Sequence, residues 1–539
     1  MPSGSSESTH SAKPSDGASR EGDTVASCGA LRRLGRNLLD TPRQFRDSLV
    51  RHGRPTSDRA ASQAVFHNLF LHILPTRIHR YSLRIRATLG LGVITLALFF
   101  LLVITGVALM VYYKPSPEHA YNSMKEIHNV VPTGRFMRNI HRWAAHGMVL
   151  CVILHMARAF YTAAYRRPRQ FNWVVGMLLF ILTFTLSFTG YLLPWDQLAF
   201  WAVTIGSEIA QSPREVTDAL GITSWCDIGG LQKQLLLGAN HVGPEALIRF
   251  YVLHVMVLPV LMCILLALHF WRIRKDGGLT RPADVDEETP QRPAGDKDMG
   301  GPTANISKTY GLMAVVRGRT PAVDRSLVNT IPTYPNAFYA IAALSMFTFF
   351  VMLCLGHLFD APLTERANPA VPENPAKAPW YFLGLQELVS YSAFAGGVGV
   401  PAIVMLGLML VPYLDRETTD TGVWFGGPKG KRVCLASAVL TIVVVVGMLT
   451  FTVNVGWLRN WLPDIPQIVI TLINPGSVML AIFCAWSLII TKRTNSTRMG
   501  ALAVFTCFLF AFAILTYFAM VHRGPNWDFF WSQSDWPSH

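Results

Sequence analysis

Nine runs of roughly twenty apolar residues punctuate this chain of 539 residues, and nothing else in it constrains the fold as strongly. Inside a hydrocarbon core of about 30 Å, every backbone N–H and C=O must be satisfied by the protein itself. A helix of about 20 residues spans that distance while doing so. The runs lie at roughly Ala87–Tyr113, Trp143–Tyr161, Trp173–Leu193, Phe250–Phe270, Ala337–Leu358, Val398–Tyr413, Val433–Val453, Ile468–Ile490 and Ala501–Val521. The sixth is short, and its start is open to extension upstream through Phe394–Gly397. Only 15% of the residues are charged and 51% are hydrophobic, with the charges gathered between the runs. The expected fold class is all-α and integral to a membrane.

Orientation follows from Lys and Arg in the short loops. With the N-terminus cytoplasmic, Arg166, Arg167 and Arg169, then Lys429, Lys431 and Arg432, then Lys492, Arg493 and Arg498 all fall inside. Arg135 and Arg138 fall outside and need another explanation. Nine crossings leave the tail from Arg523 to His539 outside. The net charge of +14 then reflects loop orientation and an Arg-rich start, so no nucleic-acid partner is expected. Residues 1–62 are polar and read as a disordered cytoplasmic extension. The stretch from Ala64 to Pro75 reads equally as an amphipathic interfacial helix or a packed one. A polar segment, 276–330, separates four spans (63–275) from the rest (331–491), with an additional span and tail at 492–539. Eight cysteines are present, none in a Cys-x-x-Cys-His motif, so covalent c-type haem attachment by that motif is absent. Cys151, Cys263, Cys354, Cys484 and Cys507 lie in apolar runs and read as small hydrophobes.

Four histidines stand out. His141 and His155 lie 14 residues apart on the second run, His254 and His269 lie 15 apart on the fourth. Fourteen residues of helix rise about 21 Å and fall about 40° short of four turns, whereas fifteen overshoot by about 60°. Each helix thus offers one imidazole near each membrane face. With the two helices packed together, antiparallel on this reading, His141 is expected to face His254 and His155 to face His269. One such histidine is more often an interfacial anchor, but four at matched intervals fit two bis-histidine haem sites, since ionisable groups at membrane depth are costly. His146 falls on another face of the second helix. Gly92 and Gly106 on the first run, and Gly176 and Gly190 on the third, repeat the 14-residue interval. Small residues admit flat rings or close backbones at two depths, although glycine is also common in ordinary helix packing. Arg138, Arg142 and Arg158 sit beside the histidines as candidate partners for haem propionates.

The segments "RNIHRWAAHGMVLCVILHMAR", "GYLLPWDQLAFWAV" and "RFYVLHVMVLPVLMCILLALHFWRIRK" resemble the second to fourth helices of the cytochrome b/b6 family. The likeness continues through "ANP" at Ala367–Pro369, "PWYF" at Pro379–Phe382 and "LMLVPYLD" at Leu408–Asp415, covering about residues 80 to 490. The 14 and 15 spacings are similar to the b6-type branch, with the haem half and the quinol-site half fused. The resemblance implies a four-helix di-haem bundle followed by about five further helices, with two non-covalent b-type haems at His141/His254 (outer) and His155/His269 (inner). It implies quinol oxidation at the outer face of a bacterial inner membrane, one electron passing to a Rieske iron-sulfur protein and one through the haems to a cytoplasmic-side quinone site, with proton translocation. The implied partners are the Rieske subunit, a c-type cytochrome subunit, the membrane quinone pool and a second copy of the complex.

Two departures from the family pattern matter. The family's Pro-Glu-Trp-Tyr is here Ala378-Pro379-Trp380-Tyr381, so the glutamate expected to take a proton is missing. Trp380 and Tyr381 remain as quinol-site candidates, and Glu387 or Glu373 is the candidate replacement acid, a solvated or paired carboxylate being the alternative for each. Gly90 stands where the photosynthetic branch carries the cysteine of an extra haem, so no covalent haem is expected. The ninth span and its "RGPNWDFFW" tail lie beyond the usual eight. Two rival readings are the di-haem membrane anchor of another quinone-linked dehydrogenase and a non-redox transporter using the histidines as a proton relay. The transporter predicts broken helices at the midplane rather than histidines at the ends.

Overall fold

Each apolar run becomes a helix long enough to cross a membrane, nine among the described residues, in a computed structural model that describes residues 56–67, 74–283, 285, 329–415, 417 and 419–537. The protein is an all-α integral membrane protein. A short helix, α1 (Asp58–His67), precedes the first crossing helix α2 (Leu91–Tyr112). After α3 (Ala120–Asn129) come α4 (Gly134–Tyr161) and α5 (Gln170–Tyr191). Then follow α6 (Gln197–Gln211), α7 (Ile228–Leu237) and α8 (Pro244–Lys275). The second group begins with α9 (Thr333–Leu358) and continues with α10 (Trp380–Tyr391), α11 (Ala395–Leu414) and α12 (Gly427–Asn454). It ends with α13 (Pro475–Thr494) and α14 (Thr497–His522). The sixth run does extend upstream, to Ala395. Most of the expected extension (1–62) and of the polar linker (276–330), together with part of the candidate interfacial helix, lie outside the described residues.

Local chemistry fixes the breaks between helices. Asn474 accepts the Ser477 N–H at 3.0 Å and Pro475 starts α13. Asn495 (φ +50°) then reverses the chain, and the Ser496 hydroxyl caps α14 at the Met499 N–H. Gly90 enters α2 with φ +65°, and a side chain there would run into Leu344 of α9. An antiparallel ribbon pairs β1 (Arg77–His79) with β2 (Thr330–Pro332), which brings the lead-ins to α2 and α9 together.

Two apolar clusters hold the crossing helices. One joins α2, α4, α8 and α9 through Leu98, Ile140, Met262 and Met352. The other joins α4 and α5 to α11, α12 and α14, and within it Phe160 stacks on Phe505 at 4.0 Å. A buried polar network ties the two groups at one end: Arg166 forms a fork on Asp415 (both contacts 3.0 Å), Tyr165 donates to Asp415 at 2.6 Å, and Arg498 donates to the Tyr165 hydroxyl at 2.9 Å. At the other end Arg135 pairs with Asp360, and Arg138 donates to the carbonyls of Ala361 and Pro362. These two arginines, unexplained by loop orientation, dock the loop after α9 onto α4.

Candidate functional site

The four histidines meet in two pairs. His141 and His254 have ring centroids 6.3 Å apart and planes at 76°. With metal–imidazole bonds of about 2 Å each, this separation leaves room for one metal ion that both rings would hold through nitrogen. At the other end of the same helices His155 interacts with His269. First therefore meets first and second meets second, so α4 and α8 run parallel and not antiparallel as expected. One crossing helix, α5, lies between them, and the two reversals on either side of it restore the direction of the chain.

The 15-residue interval on α8 is resolved by one turn. Leu253–Val257 form a π turn, closed by Leu258 N–H bonding to the Leu253 carbonyl. Pro259 has no N–H to give to the carbonyl four residues back, and the backbone widens by one residue at that point. The inserted residue absorbs the expected 60° overshoot and returns His269 to the face that carries His254.

Each of the four glycines faces one of the four imidazoles. A methyl group built on Gly106 would lie 3.2 Å from His141 Cε1, on Gly92 3.4 Å from His155 Cε1, and on Gly176 3.7 Å from His269 Cε1. On Gly190 it would overlap His254 Cε1 and lie 2.9 Å from Nε2. The 14-residue glycine interval is thus a register of seats for imidazole rings.

Hydrogen bonds set the tautomers of the first pair. Thr105 donates its single hydroxyl hydrogen to the Leu101 carbonyl at 2.7 Å, so its oxygen accepts Nδ1–H of His141 at 2.9 Å. His254 Nδ1 donates to the Leu186 carbonyl at 3.1 Å. In both rings the Nε2 lone pair is left bare, the form a metal requires. Nδ1 of His155 and of His269 are buried without a close hydrogen bond, although the Asn172 backbone acts on His269.

Arg138 and Arg142 line a cavity of about 270 Å³ together with His141, His254, Gly106 and Gly190. Arg142 lies over the Tyr191 ring at 5.4 Å and donates from Nε to His146 Nε2 at 2.9 Å. Arg158 donates to the Ala87 carbonyl, at 3.0 Å from Nε.

A second cavity, about 720 Å³, is walled by α5, α6, α10, α11, α13 and α14 and is lined mainly by apolar side chains such as Phe184, Phe382 and Phe508. Tyr191 and Tyr381 line both cavities. Burial pushes the Tyr381 phenol above its ordinary pKa, so its hydroxyl keeps its proton. Trp380 donates from Nε1 to His146 Nδ1 at 3.0 Å, and the His146 ring packs edge-on against Tyr381 at 5.8 Å. A neutral imidazole accepts at one nitrogen, so His146 serves Trp380 or Arg142 at any moment, not both.

The two candidate acids part company. Glu373 is half-buried and lines neither cavity, but it acts electrostatically on Tyr191, which borders both. Glu387 is fully buried and lines neither cavity. Its carboxylate takes Arg523 Nε at 3.0 Å, Arg523 Nη2 at 2.6 Å, the Tyr391 hydroxyl at 2.8 Å and Trp527 Nε1 at 2.9 Å. Of the two readings open for Glu387, replacement proton acceptor or paired carboxylate, the four donors that fill its oxygens favour the paired one. Sequence reading also passed over Thr105, Tyr191 and Arg523. Only Arg523 carried a visible signal, an arginine directly after an apolar run.

The model of the cytochrome b/b6/petB family matches residues 78–277. Cytochrome b6 of Heliomicrobium gestii is 44% identical over 187 residues, which is 35% of this chain and 82% of that protein. Cytochrome b6 of Synechocystis sp. is 38% identical over 221 residues, 41% of this chain and 91% of that protein. Among solved structures, a hyperthermophilic respiratory Complex III chain aligns over 80% of this chain and 91% of its own length, with TM-score 0.50 and 22% identity, a likeness of fold. The chain belongs to the cytochrome b/b6 family.

Proposed function

We propose that this chain is the cytochrome b subunit of a bacterial bc-type complex that oxidises quinol and passes electrons to a c-type cytochrome, coupled to proton translocation. The shared wall carries the reading: Tyr191 and Tyr381 border both the large apolar cavity and the cavity between His141 and His254. A quinol is an apolar tail with two phenolic hydroxyls, and a cavity of about 720 Å³ with aromatic walls and a few polar groups suits it. Tyr381, protonated and buried, donates a hydrogen bond to the head group, Trp380 braces it through His146, and Glu373, which acts on Tyr191 from outside the cavity lining, is the remaining candidate to take a proton.

Family membership implies b-type haem. We assign two, non-covalently held, to His141/His254 and His155/His269, an assignment supported by the bare Nε2 atoms and the 6.3 Å centroid separation of the first pair. Bound there, b-type haems supply one-electron couples at two depths and connect the outer quinol site to an inner quinone site. Gly92, Gly106, Gly176 and Gly190 seat the imidazoles. Arg138 and Arg142 offer charge to outer propionates and Arg158 to inner ones. The balance is quinol → quinone + 2 H⁺ + 2 e⁻; a haem held by His141 and His254 would offer a one-electron couple for one electron, and a Rieske protein would take the other. The same reading assigns 63–275 as the haem module, 276–330 as linker and 331–491 as the quinol-site module. The N-terminus is cytoplasmic, the His141/His254 end faces outward, and the complex is a dimer.

The test is quinol-dependent reduction of a c-type cytochrome by the purified complex, with a reduced-minus-oxidised spectrum of the chain. The expected result is b-type absorbance reduced by quinol, and turnover blocked by inhibitors of the outer site. No b-type absorbance refutes the cytochrome reading. b-type absorbance without quinol oxidation points to the anchor of another dehydrogenase.

A further inference from the structure

The span and tail beyond the resemblance are built into the wall and frame of the proposed quinol site. α14 presents Phe505, Phe508 and Phe512 to the large cavity. It meets α10 at Gly384, where a Cβ would lie 2.8 Å from Thr516 Oγ1 and 3.2 Å from the Phe512 carbonyl. Directly after α14 the chain folds back and grips both sides of Trp380-Tyr381 in sequence.

On the C-terminal side of that pair, Arg523 and Trp527 hold Glu387, and Arg523 Nη1 donates to the Trp527 carbonyl at 2.8 Å. Glu387 lies six residues after Tyr381 on one short helix, so a fixed carboxylate fixes the helix and its first turn. On the N-terminal side, Asn526 N–H donates to Asn374 Oδ1 at 2.6 Å, Asn374 Nδ2 donates back to Asn526 Oδ1 at 2.9 Å, and Lys377 donates to the Met520 carbonyl at 2.9 Å. Asn526 and Trp527 reach these partners with φ of +57° and +63°, a left-handed backbone that non-glycine residues seldom adopt. Gln386 closes the frame from within, accepting the Ala378 N–H at 2.9 Å and donating to the Ala376 carbonyl at 2.7 Å.

We propose that Arg523 is a positioning residue of the quinol site, acting through Glu387, and that the tail from Met520 to Trp527 is the brace that sets where Trp380 and Tyr381 stand. The inference rests on the quinol-oxidising reading above. A planar fork on a fully buried carboxylate fixes orientation as well as distance, which a lysine does not reproduce. Displacing a binding group by about 1 Å costs up to about a hundredfold in rate.

The experiment compares the whole complex carrying wild-type, Arg523→Gln, Arg523→Lys and Asn526→Ala chains, measuring quinol KM, kcat and the haem spectrum. Arg523→Gln is expected to raise KM about tenfold with the haem content and spectrum unchanged, Arg523→Lys to recover part of that rise, and Asn526→Ala to give about a two- to threefold rise. Wild-type quinol dependence in Arg523→Gln overturns the inference and leaves the functional reading standing. Haem loss in parallel with activity in every variant also overturns it, in favour of a purely structural tail. A wild-type complex that does not oxidise quinol overturns the functional reading and this inference together.

Discussion

Gly190→Ala tests the seating of the imidazoles most sharply, because the four glycines differ in how much room they leave. The added methyl would overlap His254 Cε1 and lie 2.9 Å from Nε2 and 3.0 Å from Nδ1. Contacts of about 3.5–4 Å are comfortable, so ring and helix must part by about 1 Å. His254 is also held by its Nδ1–H bond to the Leu186 carbonyl at 3.1 Å, which the same movement stretches. Overpacking costs about 1–3 kcal/mol and a weakened hydrogen bond about 1 more, so haem retention at that pair should fall about 30- to 1000-fold. Gly176→Ala brings its methyl only to 3.7 Å from His269 Cε1, an ordinary contact, and should leave haem in place. Gly106→Ala (3.2 Å) and Gly92→Ala (3.4 Å) should fall between, in that order. The assay is haem content per chain, with a spectrum to report which site is lost. Equal retention in Gly190→Ala and Gly176→Ala, or the reverse ranking, would refute the argument that these glycines are seats.

Other perturbations have equally definite outcomes. His146→Phe removes the acceptor that Trp380 and Arg142 share, one partly buried hydrogen bond worth about 1 kcal/mol, and should raise quinol KM while both haem signals persist; steady-state kinetics with a spectrum check this. Asp415→Asn leaves the buried Arg166 with only the partly exposed Glu417, 4.0 Å away, as counter-charge, and should lower stability by up to about 3–5 kcal/mol, read as an earlier melting of haem absorbance. Asp360 is held below its ordinary pKa by the Arg135 hydrogen bonds first and by Asn139 second. A carboxyl with depressed folded pKa stabilises the fold above its unfolded pKa and loses that contribution as pH falls through the folded value. Wild type and Asp360→Asn should therefore differ in melting temperature at neutral pH and converge only below the usual carboxylate range, whereas convergence already near pH 5 would contradict the assignment.

Much of this was legible in the sequence because membrane insertion leaves a strong trace. Each crossing helix needs its own apolar run, and the histidines and glycines lie within single helices, where a fixed rise and rotation turn spacing into geometry. What escaped depends on contacts between distant segments. The overshoot read from the 15-residue interval on α8 vanished because Pro259 widens one turn, a local event that an ideal 3.6-residue count misses. Arg135 could not be explained until Asp360 was beside it, 225 residues along the chain. Glu387 reads from the sequence either as a replacement acid or as a paired carboxylate, and the partner that decides, Arg523, lies 136 residues away. A carboxylate's role is set by what faces it, and spacing along one helix does not report that.

Four histidines, in two pairs on the parallel helices α4 and α8, are proposed to hold two b-type haems. An optical redox titration of the purified chain, with haem quantified per polypeptide, tests it most directly. Two haems per chain are expected, titrating as two separate one-electron waves, with His254→Ala abolishing one wave and leaving the other. A single haem, or a His254→Ala chain that keeps both waves, contradicts the claim.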